Sequence, residues 1–94
     1  MNLDIRPSFL TTALGQLAPV QKGVRKMVEL AALLSFQELL NHEGIHLEKG
    51  KGLSTRDGRQ QCTLRVTRAA RAIATVEGDP LVLLLVEPDH DRAH

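Results

Sequence analysis

The segment Leu81–Val86, LVLLLV, is apolar at every position, and this run constrains the fold more than any other feature of the chain. A strand that faces water on one side alternates apolar and polar residues, so a short continuous apolar run is typical of a strand covered on both faces. The turn-type segment 77–80 precedes the run, and Pro88 ends it. We therefore predict a central strand over 81–86.

Ninety-four residues, 43% of them apolar and 24% charged, describe one globular domain rather than a disordered chain. No repeat or linker divides it, so we predict a single domain over 1–94. The single cysteine, Cys62, excludes an internal disulfide and fits a reducing compartment. There is no 18-residue apolar run and no signal-peptide pattern, so we expect a cytoplasmic protein without a membrane partner.

Helical periodicity predicts the first half of the domain. Leu3 and Ile5 alternate with polar residues in a short first strand, and Ser8 is a candidate cap for the helix that follows. A second helix begins near Pro19, with apolar residues at spacings of three and four. Ser35 and Glu38 have the spacing of a capping box, which predicts a short third helix over 36–42.

The sequence pattern predicts a sheet in the second half of the chain. The segment 44–58 contains four glycines, which predicts a loop. Two strands, 60–67 and 71–76, form a hairpin through a turn at 68–70, and the apolar strand 81–86 follows. The order β-α-α-(α)-β-β-β predicts an α+β domain in which helices cover one face of a mostly antiparallel four-stranded sheet.

Charge is unevenly distributed along the chain, although the formal net charge is only +1. Between positions 49 and 71 seven basic residues face one acid, Asp57, whereas from Glu77 onward five acids face one base. This basic stripe suggests an anionic partner. Four of its members, Lys49, Lys51, Arg56 and Arg59, are candidate contacts for such a partner, although the charge pattern alone does not identify it as a nucleic acid.

Three arginines lie within seven residues of the predicted hairpin. Arg65 and Arg71 share the register that points away from the core, whereas Arg68 lies where the chain reverses. Two guanidiniums on neighbouring strands can form a phosphate site, and on that interpretation Arg71→Ala removes activity with little effect on stability. The alternative is a solvated sheet face whose arginines pair with Glu77 or with acids of the C-terminal tail.

Other chemistries find less support. The chain has no Trp, no Tyr and two Phe, both in predicted helices, which argues against a module that stacks bases on aromatic side chains. Asp89, His90, Asp91 and His94 are metal-ligand types, but they lie at a chain terminus, where side chains are usually loose. His42 and His46 are four apart, but Gly44 between them interrupts the helix that would align them. We therefore predict no metal site.

Four segments together resemble the RelE/ParE superfamily of toxins from type II toxin–antitoxin modules: IHLEKGKGL (45–53), LRVTRAARAIATVEGD (64–79), LVLLLV (81–86) and the ending HDRAH (90–94). The similarity is strongest over 45–94, to the branch with an HDxA-type C-terminal ending. It extends more loosely over the β-α-α opening.

For RelE-type members, the resemblance implies metal-independent endonucleolytic cleavage of mRNA on the ribosome (an mRNA interferase), which inhibits translation. The ribose 2′-hydroxyl attacks the adjacent phosphate, so the reaction needs cations near the phosphorane and groups that transfer protons. By position, the resemblance assigns these catalytic roles to Arg65, Arg71, His90 and His94. It also implies a cognate antitoxin protein as partner and no small-molecule cofactor.

The sequence departs from the family at three aromatic positions, which are Ala70, Ala74 and His94 here. Histidine can act as an acid or a base near neutral pH, but a replaced terminal residue is also consistent with lost activity. Two alternatives therefore stay open. One is a non-catalytic RelE-like interaction module of the helicase-associated type, and the other is a ParE-type inhibitor of DNA gyrase.

Overall fold

The computed structural model describes residues 1–54, 60–76 and 80–88, and for 49–54 it describes the backbone only. Within these ranges three helices and five strands follow one another along the chain. Their bounds are β1 Leu3–Ile5, α1 Pro7–Leu14, α2 Ala18–Leu33, α3 Phe36–Leu40, β2 Glu48–Ser54, β3 Gln60–Arg65, β4 Arg71–Val76 and β5 Leu81–Glu87.

The strands form one mixed sheet in the order β1-β5-β4-β3-β2. The pairs β5–β4, β4–β3 and β3–β2 are antiparallel, and only β1 runs parallel to its neighbour, β5. The predicted α+β class, with helices packed on a mostly antiparallel sheet, is confirmed. The apolar run forms β5, which is hydrogen-bonded to a strand on each side, as its composition predicted.

The four predicted strands are all present, but a fifth lies in the segment predicted to be a loop. Glu48–Ser54 pairs with β3 at the sheet edge, with Glu48 opposite Thr63 and a register shift between Lys49 and Ser54. Glycine weakens a strand and carries no side chain to bury, so the glycines hid this strand from sequence patterning. An irregular edge strand suits such a composition because it needs hydrogen bonds on one side only.

The main core lies between the helices and one face of the sheet. Helix α2 contributes Val24, Met27 and Ala31 to it, at the predicted spacing. From the sheet, Cys62 and Leu64 of β3 are fully buried, which agrees with the interpretation of Cys62 as a small core residue. The core is completed by Phe9, Ala13, Leu39, Ile45, Ala72, Ala74, Leu81, Leu83 and Val86.

Strand β5 contains a β-bulge that helix α1 stabilises. Ile73 pairs with Leu85 and Ala74 with Leu83, so Leu84 is the extra residue. The Ser8 hydroxyl donates to the Leu84 carbonyl, and the Val86 N–H donates to Thr12 Oγ1 at 2.9 Å. These bonds satisfy backbone groups that β1, only three residues long, does not reach.

The helix ends agree in part with the predictions. Helix α1 begins at Pro7, and its cap position, Arg6, makes no side-chain cap bond, so the prediction of Ser8 as the cap was wrong. Helix α3 ends at Leu40, two residues earlier than predicted, and its Ser35–Glu38 capping box is confirmed. Within the described residues, no helix combines the length and apolar character that a bilayer crossing requires.

Candidate functional site

Arg65 and Arg71 are direct cross-strand partners. Arg65 ends β3, Arg71 begins β4, and their Cα atoms pair in the antiparallel ladder. On the next strand Glu87 pairs with Arg71, so three charged residues form one row across β3, β4 and β5. Side chains of directly opposed residues lie on the same face of a sheet. The hairpin therefore brings together the two arginines that the sequence singled out.

The connection between the two strands is a tight turn over 66–70. The N–H groups of Val66 and Thr67 both donate to the Ala70 carbonyl, at 3.0 and 3.3 Å. The Ala70 N–H in turn donates to Thr67 Oγ1 at 3.0 Å. Strand β3 therefore ends two residues earlier than predicted, and Arg68 lies in the turn with an exposed side chain, as expected.

Arg71 is bound to this turn. Its Nη1 lies within hydrogen-bonding distance of the carbonyl oxygens of Thr67 (2.9 Å), Ala70 (3.0 Å) and Arg68 (3.2 Å). One guanidinium nitrogen carries two hydrogens, so at least one of them is shared between acceptors. Arg71 thus has a structural contact that its strand register did not reveal.

Arg65 lies in a different environment. Its Nε is buried and makes no hydrogen bond among the described residues. Two like charges directly opposite each other in a ladder repel, and an unsatisfied buried donor adds a desolvation cost. Glu87 offers a negative charge opposite Arg71, whereas no acid among the described residues pairs with Arg65, so an anion close to Arg65 would offset the repulsion.

The face that carries the arginines is not an open surface along its whole length. Ile73, Thr75 and Val82 lie on the side away from the main core, yet they are 6%, 2% and 4% exposed. A side chain that points away from the main core on these strands is therefore not necessarily exposed to solvent. Arg65 and Arg71, which are half-buried, mark the end of the hairpin where this buried patch stops.

The other predicted site residues are not brought to the arginine pair by described contacts. Lys49 and Lys51 belong to β2, where the backbone of Lys49 pairs with Cys62. The remaining predicted residues, Arg56, Arg59, His90 and His94, lie outside the described residues, as does Glu77.

The His42 and His46 side chains serve local contacts. His42 Nδ1 accepts the Ile45 N–H at 3.2 Å, and His46 Nε2 lies 2.7 Å from Glu48 Oε1. Neither residue is in α3, and His46 has a left-handed backbone with φ of 48°. Among the described residues no group of three metal-ligand side chains converges.

Sequence patterning missed Glu87 as a member of the charged row. Without the bulge at Leu84, the ladder that pairs Ala74 with Leu83 would place Val86 opposite Arg71. The extra residue shifts the register by one and brings Glu87 there instead. Nothing in a run of apolar residues signals which of them will bulge.

A second surface feature is an apolar groove between α1 and α2. Ile5, Leu10 and Leu14 line it, and Leu14 is 74% exposed. Lys22 and Arg25 are at its rim, and Arg25 Nε also pairs with Glu29 at 3.0 Å. Large exposed side chains that share one groove are typical of a protein-binding surface.

Comparison with known proteins identifies the fold. No protein-family model matches the sequence, and a search of curated proteins finds no significant match. Among solved structures, a copper-bound mutant toxin from Helicobacter pylori aligns with a TM-score of 0.57 at 15% identity, covering 100% of this chain and 99% of that one. The chain therefore has the fold of a small toxin, whereas bound copper is a property of that protein.

Proposed function

We propose that the protein is the toxin of a type II toxin–antitoxin module, of the RelE/ParE type, and that it inhibits translation by cutting mRNA on the ribosome. The toxin fold and the sequence resemblance over 45–94 support the class. One observation carries the activity: two arginines oppose each other across the hairpin, on the same face of the sheet.

In the proposed reaction the 2′-hydroxyl of a ribose attacks the adjacent phosphorus, and the bond from phosphorus to the 5′-oxygen breaks. Negative charge grows on the phosphoryl oxygens, and Arg65 and Arg71 stabilise it. Because Arg71 Nη1 is held by the turn, the plane of its guanidinium is fixed before RNA binds. His90 and His94 are the proposed groups for proton transfer, which follows from the sequence resemblance.

A non-catalytic interaction module is the second candidate, and a specific contact favours it. The Arg71 guanidinium is engaged with three turn carbonyls, which is sufficient reason for an arginine at this position without any substrate. The alanines at positions 70 and 74 are fully buried, where the resembling family carries aromatic residues.

We further propose that the cognate antitoxin binds the groove between α1 and α2 with the apolar face of a helix. Leu14→Asp should weaken that complex strongly, because it places a charge in the apolar groove. Leu33→Asp is the matched control: Leu33 is 82% exposed and does not line this groove. Equal affinities for the two variants would mean that the antitoxin binds elsewhere.

The activity is tested by induced expression with and without the product of the neighbouring gene, with transcripts mapped for new 5′ ends. We expect growth arrest with ribosome-dependent 5′ ends, both suppressed by the neighbour. Arrest without new ends would exclude the nuclease and point to gyrase or another target, whereas no arrest would favour the interaction module.

The basic stripe is tested separately by reversing the charges of Lys49, Lys51, Arg56 and Arg59 together. If these residues contact RNA phosphates, each contact should contribute about 0.7–0.9 to the salt slope of binding. Unchanged ribosome affinity at low salt would identify the stripe as a solvated segment.

A further inference from the structure

We propose that Gly23 of α2, which packs against the hairpin turn at Val66 and Thr67, is a positioning residue for the arginine pair. The inference rests on the proposed phosphate site but uses contacts that no sequence motif indicates. Gly23 lies in the middle of α2, where alanine would be the better helix former. Helix preference alone therefore does not explain a glycine here.

The space beside Gly23 does explain it. A Cβ atom built on Gly23 would meet the Val66 carbonyl oxygen closer than 3.0 Å, a separation that real Cβ atoms essentially never show. It would also lie 3.0 Å from Val66 Cγ1 and 3.1 Å from Thr67 Cγ2. The first obstacle is backbone, which cannot rotate away as a side chain can. Any side chain at position 23 must therefore move α2 or the turn.

The same turn also holds Arg71. Val66 directly follows Arg65, and the carbonyl of the next residue, Thr67, accepts from Arg71 Nη1 at 2.9 Å. A displacement of the Val66 carbonyl would therefore shift Arg65, which precedes Val66, and Thr67, which follows it and binds the Arg71 guanidinium. Misplacing a catalytic group by about 1 Å can lower a rate about 10²-fold, so close packing at Gly23 contributes to activity by keeping both guanidiniums in place.

Gly23→Ala is the direct test, and Gly15→Ala is its matched control. A Cβ at Gly15 would meet only the Thr11 and Thr12 carbonyl oxygens of its own helix, at the ordinary distances of 3.5 and 3.7 Å. We expect Gly23→Ala to lower RNA cleavage on the ribosome by about 10–10²-fold, mainly through the rate rather than the affinity, and Gly15→Ala to leave it unchanged.

Amide hydrogen exchange supplies a readout that does not depend on activity. In Gly23→Ala the amides of Val66, Thr67 and Ala70, which form the turn, should exchange about tenfold faster. The amides of Arg6 and Leu81, bonded to Leu83 and Asn2 at the far side of the sheet, should keep their rates. Equal acceleration at both places, or none at the turn, would overturn the positioning role.

The outcomes separate this inference from the proposed function. If the native protein cleaves no RNA but the turn amides respond as expected, the nuclease proposal fails. The positioning of the turn by Gly23 is then still supported. If Gly23→Ala does not fold, nuclear Overhauser contacts in the native protein between the Gly23 Hα atoms and the Val66 and Thr67 methyl groups decide the matter. Their absence would overturn the close approach.

Discussion

For Arg71→Ala, the tertiary structure and the sequence pattern predict different effects on stability. On strand register alone the change should remove activity with little effect on stability. In the structure Arg71 Nη1 reaches three turn carbonyls at 2.9, 3.0 and 3.2 Å, so the substitution also removes a cap of the hairpin. The expected effect on folding is therefore measurable.

Its magnitude follows from the hydrogen-bond geometry. Two N–H groups serve three acceptors, so the contact amounts to about two bonds rather than three. A bond from a charged donor is worth about 1.5–3 kcal/mol when it is buried, but water competes for the carbonyls of this half-exposed turn and lowers the value to about 0.5–1 kcal/mol for each bond. Removing Arg71 relieves its repulsion with Arg65 but also removes its opposite-charge pairing with Glu87, and these two cross-strand effects, each on the order of a few tenths of a kcal/mol, roughly cancel. We expect a net loss of about 1–2 kcal/mol.

Urea denaturation at constant salt measures this loss, with the slope m unchanged if only stability changes. Arg68→Ala is the matched control, since it removes the same charge from the same turn while its carbonyl stays in place for Arg71. Arg71→Lys should recover only part of the stability and activity, because an ammonium cannot reproduce the planar fork. If Arg71→Ala and Arg68→Ala lose the same free energy, the cap does not form in solution and the reasoning is wrong.

Three further predictions concern the fold. Leu83→Ala should cost about 2–5 kcal/mol in chemical denaturation, because Leu83 is fully buried in β5, and a loss below about 1 kcal/mol would contradict the central strand. Thr12→Val should cost about 1–3 kcal/mol, because the Val86 N–H at the bulge then lacks its acceptor, whereas Thr11→Val should be close to neutral. Hydrogen bonds from the Ser35 backbone and side chain lower the pKa of Glu38 below its ordinary 4.5. The carboxylate therefore stabilises α3 fully above pH 4.5 and loses this effect as pH falls through the lowered pKa; Glu38→Gln should remove that pH dependence, as followed by the exchange of the Ser35 amide.

Local signals predicted the elements whose partners are near in sequence. The Ser35–Glu38 capping box needs only residues three apart, and it forms as its spacing indicates. The hairpin follows from alternation and a short connection, and Arg65 and Arg71 share a face as predicted, although the turn spans 66–70 and not 68–70. The continuous apolar run 81–86 indicated a strand with both faces covered, which is typical of a central strand, and β5 does lie between β1 and β4 in the sheet.

Only the tertiary structure decided the features that depend on distant partners. Ser8 donates to the Leu84 carbonyl instead of capping α1. Strand β2 forms, despite its glycines, because its backbone pairs with that of β3. The bulge at Leu84 sets the register that places Glu87 opposite Arg71, and the approach of α2 to the hairpin turn leaves no space for a side chain at Gly23. In each case the determining contact joins residues far apart in the chain, and a periodic pattern carries no information about which distant backbone group will be there.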